Sequence, residues 1–121
     1  MVKVNHILAV IVWVSVCVVL ARGSEPAHAF LFFVPFTLGP HAVSHALCFV
    51  LKSCGAAILL GIGMLAYVSW FFFVYIDAFY WNLDAQSAIA LLFVGVVSLP
   101  VMIPVWAVAL VLEGAAKRRV D

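Results

Sequence analysis

Charge is absent from four long stretches of this chain, residues 4–21, 27–51, 53–76 and 85–112, and gathers only between and beyond them. An α-helix needs about 20 apolar residues to cross the ~30 Å hydrocarbon layer of a bilayer. Each stretch reaches or approaches that length. Inside the layer no water is present to pair with backbone N–H and C=O groups, so runs of this kind become helices. The predicted fold class is therefore all-α. The chain reads as a polytopic membrane protein of four transmembrane helices in an up-down-up-down bundle, a single membrane domain over residues 1–121.

Composition narrows what such a chain can do. Of its 121 residues, 69% are hydrophobic and 9% charged, which leaves no segment outside the spans long enough to fold as a catalytic domain. Any site must lie within the bundle or at its rims, and enzymatic activity is not expected. A net charge of +1 argues against nucleic acid as a partner. The basic cluster Lys117, Arg118 and Arg119 reads instead as a surface anchor, since anionic lipids attract basic residues by about 1 kcal/mol each.

The same charges set an orientation. With four spans, both termini share a side with Lys3, Lys52, Lys117, Arg118 and Arg119, and only Arg22 falls on the other. Cytoplasmic flanks are enriched in Lys and Arg, so both termini are predicted to be cytoplasmic. The compactness of the chain points to a bacterial inner membrane. Residues 27–29 also read Ala-His-Ala, as at a signal cleavage site, but the preceding apolar run exceeds the usual 7–15 residues of a signal core. A retained first span is the favoured reading, and cleavage would leave three spans in the same orientation.

Several features give the spans individual character. Asn5 reads as an N-cap for span one, and Asp84 as one for span four, where its charge also suits the helix dipole. Span two contains Pro35 and Gly39-Pro40, which predict a kink near Gly39. The short Lys52-Ser53 turn predicts that spans two and three are neighbours. Ala57 and Gly61 in span three, and Gly95 and Ser98 in span four, lie on small-residue faces that let helix backbones approach closely. Cys17, Cys48 and Cys54 are odd in number and lack zinc-finger spacing.

Two groups of residues could carry chemistry. Ionisable residues inside spans are costly to hold there, which makes them functional candidates by default. His41 and His45 stand four apart in span two, and His6 begins span one. With Cys48, these could ligate a transition metal, and paired histidines could ligate haem iron. The alternative is that the histidines are neutral and bonded to backbone carbonyls. The second group is Asp77, Trp81, Asp84 and Gln86. With Tyr75 and Tyr80 they are predicted to crowd an outer loop over residues 77–84, either an interaction surface or an aromatic belt beside a helix cap.

No cofactor is expected on balance. No Asp, Glu, Lys or Arg lies mid-span, which disfavours ion-coupled transport through a buried carboxylate. The function read from the sequence is a non-enzymatic scaffold or accessory subunit. Its expected partners are the lipid bilayer and another membrane protein or a second copy of itself. A metal- or haem-binding module using the histidines is one alternative, and a small-solute transporter or pore built on the proline bends is another.

Overall fold

The computed structural model describes residues 1–23, 30–81 and 87–119. Its elements are α1 (Val2–Gly23), α2 (Phe30–Val50), α3 (Cys54–Ile76) and α4 (Ser87–Arg118), with a π-helical turn, Asp77–Trp81, continuing α3. All four helices are long and apolar enough to cross a membrane. Their outward-facing residues are Val, Ile, Leu and Phe almost throughout.

Packing does not simply follow chain order. α4 packs chiefly against α3 and α2, and α1 packs against α2 and, less closely, α3. No Cα of α1 comes within 8 Å of one in α4 among the described residues, so the first and last helices sit diagonally opposed. Contact between α2 and α3 is slight despite their short connection. A tight turn forces two helix ends together, but side-chain size decides how close the rest of the helices lie.

Two apolar clusters fill the interior. One joins Val12, Val16, Leu20, Leu38, Tyr67, Phe71, Leu91, Val94 and Met102. The other, at the Lys52-Ser53 end, joins Ala9, Cys48, Leu51, Ala56, Leu60, Met64 and Ala109. Both draw on all four helices.

Two expectations about helix ends need correction. Asn5 is not an N-cap: α1 begins at Val2, and Asn5 sits buried inside it. Ser53 caps α3 instead, with φ −67° and ψ 145°, and its Oγ accepts from the Ala56 N–H at 3.4 Å. Residues 77–81 are not a loop. Ring contacts from Tyr75 to Phe79 (5.0 Å) and Tyr80 (6.2 Å) accompany a continued helical backbone there. At its far end α4 runs to Arg118, six residues past the uncharged stretch that closes at residue 112. Ala115, Ala116 and Lys117 are good helix formers, and helices end where capping or packing stops them rather than where hydrophobicity does. The N-cap expected at Asp84 lies outside the described residues.

Prolines mark α2 and α4 without dividing them, since both helices run continuously through Pro35, Pro40, Pro100 and Pro104. Pro40 cannot donate to the carbonyl of Phe36 four residues back. That carbonyl faces Gly95 of α4, which lies so close that a Cβ there would collide with it. A glycine Cα–H can approach a carbonyl as a weak donor, giving the freed oxygen a partner across the helix interface.

Candidate functional site

The interior polar groups form a line of contacts between helices. Near the start of α1, Asn5 Nδ2 donates to Ala57 O at 2.7 Å, and its Oδ1 fills the space where a side chain on Gly61 would stand. Further along, His41 is completely buried and its Nε2–H donates to Ala9 O at 3.0 Å. Thr37 Oγ1 donates to Leu91 O at 3.1 Å. Ser44 links two groups: its hydroxyl donates to Pro40 O at 3.0 Å and accepts from Trp106 Nε1–H at 2.9 Å. These bonds tie α1 to α3, α1 to α2, and α2 to α4 at two levels.

Glu113 closes the end of the bundle. Its Oε2 accepts from the backbone N–H groups of Lys52 at 2.9 Å and Ser53 at 2.7 Å. These donors precede the first turn of α3, where a negative charge also suits the helix dipole. Lys117 Nζ stands 4.0 Å from Glu113 Oε1, but its own side chain is largely exposed, which makes that pair the weaker interaction. The sequence alone singled out no role for Glu113; the available signal was an acidic residue at a span boundary, close to a basic cluster.

The candidate histidines separate into two environments. His41 turns into the core, its ring edge-on to Trp13 at 5.8 Å and nearly parallel to Tyr67 at 6.4 Å. His45 is only half-buried and stands 5.5 Å from the His6 ring, with Phe49 against both. Cys48 Sγ donates to Ser44 O at 3.4 Å inside the second apolar cluster. His6, His41, His45 and Cys48 therefore do not converge as a ligand set, and no group of three or more His, Cys, Asp or Glu side chains does so among the described residues. Residues four apart on a helix share a face only to within about 40°, enough here for one ring to enter the core and the other to stay at the rim.

Of the second candidate group, Asp77 is half-buried at the start of the π-helical turn, and Trp81 is largely exposed at its end. Asp84 and Gln86 lie outside the described residues. The small-residue positions turn inward: Ala57, Gly61, Gly95 and Ser98 are all buried within the bundle. So is Gly63, where a Cβ would lie 2.8 Å from Val105 Cγ1.

Among the described residues, two buried side-chain polar atoms have no hydrogen-bond partner, His41 Nδ1 and the Tyr67 hydroxyl. With the proton on Nε2 for Ala9, Nδ1 is an acceptor without a donor, while the Tyr67 O–H is a donor without an acceptor. Tyr67 is also among the residues lining an outward-opening cleft of about 330 Å³ between α3 and α4, with Trp70, Ser98, Val101 and Met102. Tyr67 had carried no signal beyond being one more aromatic residue in an apolar span. Comparison with known proteins found no family model, no curated protein and no solved structure that matches this chain.

Proposed function

We propose that this protein is a non-enzymatic scaffold or accessory subunit of a bacterial inner membrane, associating there with a second copy of itself or with a larger membrane complex. In this reading the helices run up-down-up-down with both termini cytoplasmic. The basic flanks Lys3, Lys52 and Lys117 to Arg119 support that orientation. The pairing of Ala9 with His41, and of Lys52 and Ser53 with Glu113, supports the order.

One observation carries the proposal. The interior polar groups Asn5, Thr37, Ser44, Trp106 and Glu113 are engaged in holding helix to helix, a structural use of polarity. Because the small-residue faces are occupied within the bundle, a partner must pack on the bulky outer surface. Crosslinking in native membranes, followed by mass spectrometry, tests this. Discrete higher-mass species are the expected result, and isolated monomers throughout would defeat the proposal.

The nearness of His6 and His45 favours a second reading, a weak transition-metal site at the membrane rim. Metal analysis of gently extracted protein tests it. Metal lost on His6→Ala and His45→Ala substitution supports a metal role, and metal-free protein removes it.

A further inference from the structure

The rings of His6 and His45 take no part in the polar ties between helices. His41 commits its Nε2–H to Ala9 O, but neither His6 nor His45 has a hydrogen-bond partner within the protein among the described residues. Their ring contacts are with each other and with Phe49. A neutral imidazole in that state carries a bare acceptor nitrogen, which is a metal ligand.

The spacing of the two rings suits a shared ion. With a bond of about 2.0–2.1 Å from zinc to an imidazole nitrogen, each ring centre stands about 3.2 Å from the metal. Two rings at a tetrahedral angle are then about 5.2 Å apart, and two rings in line about 6.4 Å. The observed 5.5 Å lies close to the tetrahedral value. The ring planes are tilted by 60° rather than stacked, and no hydrogen bond opposes rotation of either ring.

One chain supplies only half of such a centre. No third His, Cys, Asp or Glu joins the pair among the described residues. Structural zinc is closed by four protein ligands. The pair lies on the flank of the bundle, where both histidines are half-buried and Phe49 beside them is 67% exposed. His6 is four residues from the start of α1 at Val2, about 6 Å of helical rise, so an ion can reach the pair from the end of the bundle. A second copy turned about a two-fold axis through the ion brings the same two rings, because a two-fold contact joins identical patches.

We propose that His6 and His45 are half of a four-histidine zinc site that the same two residues of a second copy complete. This rests on the transition-metal reading of the pair given above, and supplies its partner. Four imidazoles in a tetrahedron match what zinc prefers, and the ion's charge enters the membrane rim fully ligated. The metal then provides an attraction between copies on an outer surface whose small-residue faces are already spent inside the bundle.

The test uses the full-length protein in mild detergent micelles, stripped of metal and titrated with zinc chloride, with zinc and chains per particle counted by native mass spectrometry. The expected end point is one zinc per two chains. Zinc at about a hundred times its dissociation constant should strengthen dimerisation about a hundredfold, and a chelator should reverse the gain. His6→Ala and His45→Ala, each shown to be folded by an unchanged helical circular dichroism spectrum, should lose it. One zinc per chain without dimers would keep the metal reading and overturn the shared site. No zinc bound would overturn the shared site too, and metal-free protein from the native membrane would remove the reading beneath it as well. Dimers equally strong without zinc, or in either variant, would leave self-association standing and overturn the metal bridge.

Discussion

Glycine and asparagine set the closest approaches in this bundle, and their roles can be separated one residue at a time. A methyl group on Gly95 would collide with Phe36 O, so Gly95→Ala should destabilise the fold by about 1–3 kcal/mol, the usual cost of overpacking. Gly55 and Gly114 have nothing within 4 Å of an added Cβ. Gly55→Ala and Gly114→Ala should therefore be neutral, or stabilising by up to ~1 kcal/mol through helix propensity. Reversible unfolding in mixed micelles distinguishes the two outcomes. Asn5 and Gly61 form a pair. Asn5→Ala should cost about 0.6–1.7 kcal/mol, the range for hydrogen bonds between membrane helices. Gly61→Ala should be harmful beside Asn5 but better tolerated beside Ala at that position, and a double-mutant cycle should show coupling of about 0.5–3 kcal/mol. The presence of small residues was legible in the sequence. Which atom each one makes room for was not, because the approaching group belongs to a helix tens of residues away.

At the scale of whole elements, the α2–α3 turn is held from outside itself. Without Glu113, the Lys52 and Ser53 amides lose their acceptor. Glu113→Ala should speed hydrogen exchange at those two amides and in the first turn of α3, while amides in the middle of α3 keep their protection. Equal acceleration along the whole helix would instead mean general unfolding. The four long apolar helices were legible in the sequence, because an unbroken apolar run allows little else in a bilayer. Their ends were less so. Asp77 was read as the start of a loop, yet the helical backbone continues past it to Trp81. A charged residue marks where lipid contact can end, not where the backbone stops making its own hydrogen bonds.

For the molecule as a whole, orientation in the membrane is the first property to establish. Cys54 is exposed at the start of α3, whereas Cys48 is buried and Cys17 partly so. With Cys17 and Cys48 replaced by alanine, a membrane-impermeant maleimide should label Cys54 in inside-out vesicles and not in right-side-out ones. The reverse pattern would place Lys52 and the termini outside. The diagonal placement of α1 and α4 has a further consequence. Each contacts α2 and α3 but not the backbone of the other, so among the described residues α2 and α3 join the two outer helices.

The sequence by itself determined that this chain is helical, that it has four segments able to span a membrane, and that its chemistry is confined to a few polar side chains among them. The physical reason is that the bilayer restricts backbone structure severely, so apolar length and charge position are nearly sufficient. Only the tertiary structure decided which polar residue meets which. It sent His41 into the core and left His45 at the rim, set Glu113 over the start of α3, and buried the Tyr67 hydroxyl without a hydrogen-bond partner. Those outcomes depend on helix rotation and crossing, which follow from packing between distant segments and leave little trace in any one of them.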